Sequence, residues 1–170
     1  MKLNSTGIID GYLLPIYGKY SDNSFKIDNV PIVSPPLEWS LVPEKTKSLA
    51  LIMQDFDAVA VCGFSWIHWL VANINPNLIG LPQNASRDMQ NLLQGKNSLA
   101  SKQICGDMSK NVINYYSGPK PPDKDHEYQF ELYALDVELD LKSGFGMNDL
   151  QKAMRGHILE QAIFIGIYKV

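Results

Sequence analysis

Two acidic side chains follow an apolar segment at a spacing that could place them at one site. Asp55 and Asp57 come directly after residues 48–54, a nearly continuous apolar run. If the chain stays extended there, the i, i+2 spacing directs both carboxylates the same way. Such a pair can accept hydrogen bonds from a ligand or from a histidine. Acidic residues at strand ends also often accept hydrogen bonds only within their own turn.

Two histidines accompany apolar segments further along the chain. His68 interrupts the apolar and aromatic residues 66–74, and His126 begins an alternating segment in which it shares a face with Tyr128. Imidazole groups carry protons, donate and accept hydrogen bonds, and bind metal ions. A histidine in an apolar strand can equally be a core residue whose nitrogens the protein itself satisfies. Neither histidine identifies a function by itself.

A proline-rich segment precedes the second histidine. Residues 116–122 read Tyr-Ser-Gly-Pro-Lys-Pro-Pro. Prolines such as Pro121 fix the backbone angle φ and remove backbone donors, so the segment is predicted to be a rigid turn-rich loop. One of its X-Pro bonds is a candidate for the cis form. Gly118 has no side chain, which would let a ligand approach the backbone closely.

The elements that must position these residues are mostly strands. Residues 48–54 predict a strand buried on both faces, and residues 66–74 predict a second strand, rich in aromatic and β-branched side chains. Residues 126–136 alternate as a third strand, and residues 163–168 form a last one. Several strands with little helix between them favour a mainly β fold with an antiparallel core and helices at its edges.

One segment near the C-terminus predicts a helix. Asn148 can cap its N-terminus, with Gln151 as the partner in a capping box. One apolar face with helical spacing then runs through Leu150, Ala153, Met154, His157 and Ile158. On this pattern His157 is predicted to be a core residue. Residues 77–114 are weakly patterned, and we expect loop there with a short helical turn.

Composition predicts one globular domain over residues 1–170. With 45% hydrophobic and 19% charged residues, the chain differs from a disordered one. The formal net charge of −3 and the lack of a basic run argue against a nucleic-acid partner. Residues 58–86 contain no charged side chain but are broken by glycines and prolines, so we expect no membrane-spanning segment.

Cysteine usage predicts the compartment. Cys62 and Cys105 are the only two cysteines, and we expect free thiols rather than a disulfide. The first ten residues carry one lysine with no apolar run behind it, which differs from a signal peptide. Both observations favour the cytoplasm as the location.

Taken together, these segments match a known pattern in order and spacing. The matching motifs are Ser34-Pro35-Pro36-Leu37-Glu38-Trp39, Ser48-Leu49-Ala50-Leu51, Asp55-Phe56-Asp57-Ala58-Val59, Trp66-Ile67-His68-Trp69, Gly118-Pro119-Lys120-Pro121-Pro122, His126-Glu127-Tyr128-Gln129-Phe130, Leu132-Tyr133-Ala134-Leu135-Asp136 and Gly156-His157-Ile158-Leu159. Each motif alone is common, but the ordered set, covering most of the chain from about residue 34 to residue 168, is specific. The chain resembles the phosphatidylethanolamine-binding (Raf kinase inhibitor-like) family, in its bacterial and archaeal branch.

The resemblance implies a fold, a site and a function. The family's fold is a central antiparallel β-sheet packed on a smaller sheet, with helices at the side, including one near the C-terminus. Its shallow pocket holds phosphate or a phosphoethanolamine-like head group, and relatives of the bacterial type often form homodimers. The resemblance implies a binding protein without a cofactor or bound metal, and not an enzyme. The pocket residues it implies here are Asp55, Asp57, His68, Gly118, Pro121, His126 and Tyr128.

Three positions depart from the family pattern. Phe56 and Val59 replace prolines, so the backbone around Asp55 and Asp57 is freer to change shape. Glu127 replaces the arginine that follows the histidine, which removes a positive charge that the family has near the pocket rim. The loop shape and the anion affinity are therefore expected to differ from those of typical relatives.

The pocket must favour an anion although it carries carboxylates. We expect His68 and His126 to contact the anion, while Asp55 or Asp57 accepts from the other ring nitrogen. Backbone N–H groups near Gly118 and the hydroxyl of Tyr128 would add neutral donors. On this hypothesis, phosphate affinity falls as the pH rises through the range in which histidine titrates.

Two other classes of function stay open. One is a metal-assisted or His/Asp hydrolase, since two histidines and two carboxylates could bind a divalent metal. The sequence contains neither an HExxH motif nor a GxSxG elbow, which weakens this alternative. The other is a protein-interaction regulator of a kinase or a protease, which the family resemblance raises and no feature of this sequence supports.

Overall fold

A computed structural model describes all residues, Met1–Val170. The strands are β1 (Lys2–Asn4), β2 (Ile8–Ile9), β3 (Tyr12–Leu13), β4 (Lys26–Ile27), β5 (Val30–Pro31), β6 (Leu37–Ser40), β7 (Ser48–Asp55), β8 (Trp66–Ile74), β9 (Gly80–Leu81), β10 (Leu93–Gln94), β11 (His126–Leu135) and β12 (Ile158–Tyr168). The helices are α1 (Ala58–Cys62), α2 (Ala85–Asp88), α3 (Lys102–Cys105), α4 (Lys110–Ile113) and α5 (Met147–Met154), with 3₁₀ turns at Pro15–Tyr17, Asn23–Phe25 and Ser98–Ala100.

Seven strands form one large sheet in the order β10-β8-β7-β11-β12-β3-β2. Its pairs are antiparallel except β12 and β3, which run parallel. Three strands form a smaller antiparallel sheet, β1-β6-β9, and β4 pairs with β5. The predicted fold, a central sheet packed on a smaller sheet with peripheral helices, is confirmed. The one parallel pair makes the large sheet mixed rather than purely antiparallel.

The large sheet is covered on both faces, which explains why all eight residues of β7 are buried. On one face, Leu51 belongs to the same apolar cluster as Trp39 of the smaller sheet. On the other face, Ile52 clusters with Leu150 of α5. A strand buried on both faces needs a continuous apolar sequence, because alternation would place polar side chains in one of the two cores.

The predicted strands exist, with small shifts at their ends. β7 continues one residue further, through Asp55, and β8 spans residues 66–74 as predicted. β11 ends at Leu135, one residue earlier than predicted. β12 begins at Ile158, five residues earlier than predicted, because it pairs with β11 along its whole length, beyond the apolar run that marked it in the sequence.

The C-terminal helix is confirmed, but its predicted cap and its last turn are wrong. Gly146, not Asn148, precedes the helix, and its N–H donates to Asp149 Oδ2 at 2.9 Å. The helix ends at Met154, and Gly156 then adopts a left-handed φ of +79°, which turns the chain into β12. His157 is therefore exposed rather than part of the core, and its Nδ1 lies 2.9 Å from Asp136 Oδ1.

Residues 77–114 contain short two-residue strands, a 3₁₀ turn and three four-residue helices, slightly more helix than the single turn that we expected. Cys62 and Cys105 are free, as predicted. No helix of the chain combines the length and the apolar character that crossing a membrane requires.

Candidate functional site

A cavity of about 240 Å³ lies at the edge of the large sheet where β7 ends. Six of the predicted site residues line it, namely Asp55, His68, Gly118, Pro121, His126 and Tyr128. Other side chains in its wall include Val30, Cys62, Trp66, Leu99 and Lys120. Pockets for drug-sized ligands measure roughly 300–1,000 Å³. This cavity is smaller than that range and has room for a small molecule only.

Strand register brings the polar residues to this cavity. β7 ends at Asp55, whereas β8 and β11 begin at the same edge because they run antiparallel to it. Asp55 lies opposite Tyr128 on one side and opposite Trp66 on the other. His126 precedes Tyr128 by two positions in β11 and therefore faces the same side of the sheet.

A β-bulge positions His68. The pairing of β7 with β8 passes from Met53–Trp69 to Gln54–Ile67, which leaves His68 as an extra residue without a partner on β7. A bulge interrupts the regular alternation of side chains and can redirect one of them. His68 thus lines the cavity although it stands next to Trp69, a core residue of the same strand.

Carboxylates hold His126 on both sides of its ring. Nδ1 lies 2.7 Å from Asp55 Oδ2, and Nε2 lies 2.8 Å from Asp123 Oδ1. Ionised carboxylates only accept hydrogen bonds, so both ring nitrogens donate, as in imidazolium. Burial alone would lower the pKa of His126, but the hydrogen bonds to Asp55 and Asp123 outweigh it and raise the pKa. The expectation that His126 contacts an anion is therefore wrong for this geometry, because both of its donors are taken.

Asp55 links the strand edge to the helix that follows it. Its Oδ2 accepts from His126, and its Oδ1 accepts from the backbone N–H of Ala58 at 3.0 Å, in the first turn of α1. Only 4% of the Asp55 surface is exposed. A buried carboxylate needs such partners, since an unpaired buried charge is strongly destabilising. The expected acceptor role of Asp55 toward a histidine is confirmed.

His68 has the opposite character to His126. Its Nδ1 lies 2.6 Å from the carbonyl oxygen of Ser117, so this nitrogen donates, and no protein group forms a hydrogen bond with its Nε2. Burial is the largest influence on His68 and lowers its pKa. At neutral pH the ring is uncharged, and Nε2 presents an acceptor to the cavity.

Tyr128 and Lys120 complete the polar wall. No protein group forms a hydrogen bond with the hydroxyl of Tyr128, and its ring meets the ring of His68 edge-on with centroids 5.1 Å apart. Burial, followed by the charge of Asp55, raises the pKa of Tyr128, so the hydroxyl stays protonated and can donate. Lys120 is exposed, and its Nζ donates to the carbonyl oxygen of Asn29 at 3.2 Å.

Asp57 does not line the cavity with the other predicted residues. The chain leaves the extended conformation at Asp57, where φ is −64° and ψ is −26°, so the two carboxylates do not point the same way. Its Oδ1 accepts from Lys124 Nζ at 2.7 Å, and its Oδ2 accepts from the backbone N–H of Glu127 at 3.0 Å. The hydrogen bonds to Glu127 and Lys124 lower the pKa of Asp57.

The three departures from the family pattern lie outside this wall. Phe56 and Val59 are exposed, and the N–H of Val59, which a proline would lack, donates to the carbonyl oxygen of Phe56 at 3.1 Å. Glu127 neighbours His126 in β11, and its side chain lines a separate small depression with Phe56 and Asp57. The charge of Glu127 therefore belongs to the opposite side of the sheet rather than to the cavity rim.

The proline-rich loop is fixed to the fold by its own backbone. The N–H of Ser117 donates to the carbonyl oxygen of His68 at 3.0 Å, and the N–H of Gly118 donates to that of Pro31 at 2.8 Å. The expectation that these N–H groups serve a ligand is wrong. A Cβ on Gly118 would lie 2.7 Å from Cβ of Pro31 and collide with the Tyr17 carbonyl oxygen, so glycine is needed here for packing. All peptide bonds of the loop are trans.

Sequence reasoning missed Asp123, Ser117 and Lys120. Asp123 stands three residues before His126, a spacing that could have marked it as a hydrogen-bond partner. Ser117 contributes through its backbone carbonyl, which its side-chain identity does not reveal.

Nowhere in the chain do three His, Cys, Asp or Glu side chains converge so that they could hold a metal ion.

Comparison with known proteins gives matches along nearly the whole chain. Residues 4–169 match the profile of the family described as phosphatidylethanolamine-binding protein. The protein YxkA of Bacillus subtilis is 47% identical over 151 residues, which cover 88% of this chain and 89% of YxkA. A UPF0098 protein of Methanothermobacter thermautotrophicus is 41% identical over 140 residues, covering 81% and 83% of the two chains.

Solved structures agree with these matches. CT736 of Chlamydia trachomatis, described as a homologue of phosphatidylethanolamine-binding protein, superimposes with a TM-score of 0.78 at 32% identity, covering 99% of this chain and 97% of CT736. Escherichia coli YbcL, described as a new member of the mammalian phosphatidylethanolamine-binding protein family, superimposes with a TM-score of 0.77 at 26% identity. The alignment covers 99% of this chain and 98% of YbcL.

Proposed function

We propose that this chain, which belongs to the phosphatidylethanolamine-binding protein family, binds a small phosphate-bearing head group. One observation carries the proposal. His68 and Tyr128 line one small cavity, and no protein group forms a hydrogen bond with His68 Nε2 or with the Tyr128 hydroxyl. Polar atoms that converge in a pocket without partners are the groups that orient a ligand.

The two free atoms have complementary roles. The Tyr128 hydroxyl donates to an anionic oxygen, while neutral His68 Nε2 accepts from a protonated phosphate oxygen. When His68 takes up a proton, Nε2 becomes a charged donor to the same oxygen. The ammonium of Lys120, at the rim of the cavity, adds a positive charge that attracts an anion.

His126 contributes indirectly. Its imidazolium lies between Asp55 and Asp123, where it neutralises part of the charge of the two carboxylates next to the cavity. A head group with both a phosphate and an amine suits this wall, because the remaining negative charge would attract the amine. Phosphoethanolamine has this chemistry, whereas inorganic phosphate offers the anion alone.

Calorimetric titration tests the proposal with two probes. O-Phosphoethanolamine tests the head group, and dimethyl phosphate, whose single negative charge is constant between pH 5 and pH 8, tests the role of His68. We expect both to bind, and dimethyl phosphate to bind more tightly at pH 5 than at pH 8, because anion binding favours protonated His68. Equal affinity at the two pH values would contradict a contact between the anion and His68. If neither probe gave binding heat, the proposal that the cavity binds an anion would be wrong.

We propose binding without catalysis. A hydrolase of the Ser-His or Cys-His type needs a nucleophile bonded to a free histidine nitrogen. His126 has no free nitrogen. His68 Nε2 is free, but Cys62, the thiol in the cavity wall, donates to the carbonyl oxygen of Phe64 at 3.4 Å and not to that nitrogen. Elemental analysis and assays with nitrophenyl phosphate and nitrophenyl acetate test this part. Stoichiometric zinc with turnover would replace it by the hydrolase alternative.

The location and the assembly are also proposals. Two free thiols support the cytoplasm, since reducing compartments preserve them. The homodimer implied by the family resemblance stays a prediction. Light scattering tests it, with an expected mass of twice the 19.1 kDa of one chain. A mass of one chain at micromolar concentration would contradict the dimer.

A further inference from the structure

A second cavity, of about 470 Å³, lies between α2, β10 and α4. Its wall includes Arg87, Gln90, Lys110, Asn114 and Tyr115. It shares no lining residue with the cavity of His68 and Tyr128. Its volume falls within the range of small-molecule sites in proteins, roughly 300–1,000 Å³.

Arg87 is the unusual residue of this cavity because its charge is unpaired. No hydrogen bond and no ion pair involves its guanidinium, and its Nε and Nη2 atoms are buried without a partner. The guanidinium lies over the ring of Tyr115, whose centroid is 4.1 Å from Cζ of Arg87. Burial lowers the pKa of Arg87, yet a guanidinium remains protonated at neutral pH.

The two unpartnered nitrogens lie on one edge of the guanidinium. The N–H groups of Nε and Nη2 point the same way and form the fork that binds a carboxylate or a phosphate through two parallel hydrogen bonds. Native proteins leave few buried donors unsatisfied, and each such donor calls for an explanation. Here the unsatisfied pair matches the geometry of a planar anion.

The surroundings favour negative charge. Lys110 supplies a second cation, and no Asp or Glu lines the cavity. The nearest acidic residue in sequence, Asp88, forms no ion pair with Arg87, and its Oδ1 accepts from Asn84 at 2.9 Å. The side-chain oxygen of Asn114 is also buried without a partner. A ligand with a hydroxyl or an amine beside its anionic group would satisfy that oxygen as well.

We propose that this cavity is a second binding site, for a small polar organic anion whose carboxylate or phosphate group engages Arg87 and Lys110. The Nε–Nη2 edge is buried, so the guanidinium turns toward the cavity when the anion enters. Turning breaks no hydrogen bond, because the guanidinium of Arg87 makes none in this structure. The ring of Tyr115, whose centroid lies 4.1 Å from Cζ of Arg87, holds the guanidinium at the cavity wall through a cation–π contact.

Nuclear magnetic resonance of the arginine side chains tests the site without altering it. The chain has only two arginines, Arg87 and Arg155, and Arg155 is exposed. The spectrum of Arg155→Gln therefore assigns the Nε–Hε resonance of Arg87 by elimination. Malonate and inorganic phosphate are then titrated into the wild-type protein at constant ionic strength, so that the two arms separate a carboxylate ligand from a phosphate ligand.

We expect the Arg87 resonance to shift and saturate with at least one probe, with a dissociation constant of about 1 mM or lower, while the Arg155 resonance stays in place. Arg87→Lys keeps the charge but lacks the fork, and we expect it to weaken binding by about tenfold. Tyr128→Phe, in the other cavity, should leave this titration unchanged. An Arg87 resonance that stays in place, or that shifts in parallel with Arg155 without saturating, would overturn the proposal.

Discussion

The Nδ1 atom of His126 lies 2.7 Å from Oδ2 of Asp55, and both side chains are buried where β7 ends and β11 begins. The pair joins residues 71 positions apart in the sequence. It fixes the orientation of the His126 ring, and both residues line the cavity together with His68 and Tyr128. The stability of this edge of the sheet therefore depends on a charged pair inside the protein.

Substitution of Asp55 by asparagine should destabilise the fold. The neutral amide leaves the buried imidazolium with Asp123 as its only anionic partner, and breaking a buried ion pair costs about 3 kcal/mol. Urea unfolding at pH 6 measures the free energy of unfolding. Asp123→Asn is the matched control, because Asp123 is half-exposed and solvent screens its charge, so this variant should lose less stability than Asp55→Asn. Equal losses for the two variants would show that the Asp55 contact has no special weight.

The same pair makes stability depend on pH. The pKa of His126 is raised in the folded protein, so the stabilisation is fully present below the unfolded pKa of about 6.5 and is lost as the pH rises through the folded pKa. We expect the penalty of Asp55→Asn to be larger at pH 6 than at pH 9. A penalty that is constant over this range would contradict a charged His126.

The pKa values of the two cavity histidines should be shifted in opposite directions from that of a free histidine. The folded pKa of His126 is raised, whereas burial lowers that of His68. Proton resonances of the three histidine rings, followed from pH 4 to pH 9, measure both values, and the exposed His157 is assigned with His157→Gln. We expect His68 to titrate below about 6.5 and His126 above it. A reversed order would mean that the hydrogen bonds to Asp55 and Asp123 do not form in solution.

Removal of one hydroxyl tests the ligand contact. Tyr128→Phe deletes a donor that has no partner in the protein, so it should leave the free energy of unfolding within about 1 kcal/mol of the wild type. We expect it to weaken the binding of O-phosphoethanolamine by about tenfold, which corresponds to one hydrogen bond to a charged group. Calorimetry measures the affinity, and Tyr12→Phe, at an exposed position, is the control. Unchanged affinity in Tyr128→Phe would place the ligand elsewhere.

A single methyl group at Gly118 should destabilise the loop beside the cavity. The new Cβ would collide with the carbonyl oxygen of Tyr17 and with Pro31, and such overpacking costs about 1–3 kcal/mol. Gly146→Ala is the control, because its Cβ would meet side chains rather than backbone, with Asn148 Oδ1 nearest at 2.5 Å and Asp149 Oδ2 next at 3.4 Å, and we expect a loss below about 1 kcal/mol. Thermal and urea unfolding compare the two. Similar losses of unfolding free energy in both variants would mean that the loop adjusts to the extra methyl group at Gly118 without cost.

Much of the fold followed from local patterns. The continuous apolar run identified β7 to within one residue, because burial on both faces dictates such a run. The alternation of β11 identified that strand equally well, although only its first four residues alternate between buried and more exposed positions. The C-terminal helix was found but extended too far. Its periodicity continued through Ile158, although Gly156 had already turned the chain into β12. A periodic pattern does not reveal where a backbone reverses.

The sequence by itself determined the family, the strands, and a site that includes His68, His126 and Asp55, because those features are recorded in residue type and order. Only the tertiary structure decided how the groups divide their work. A bulge in β8 redirects His68, strand register joins His126 to Asp55, and α1 turns Asp57 away. These outcomes depend on contacts between distant segments. Hydrogen-bond partners are chosen by distance in space, which spacing along one chain does not encode.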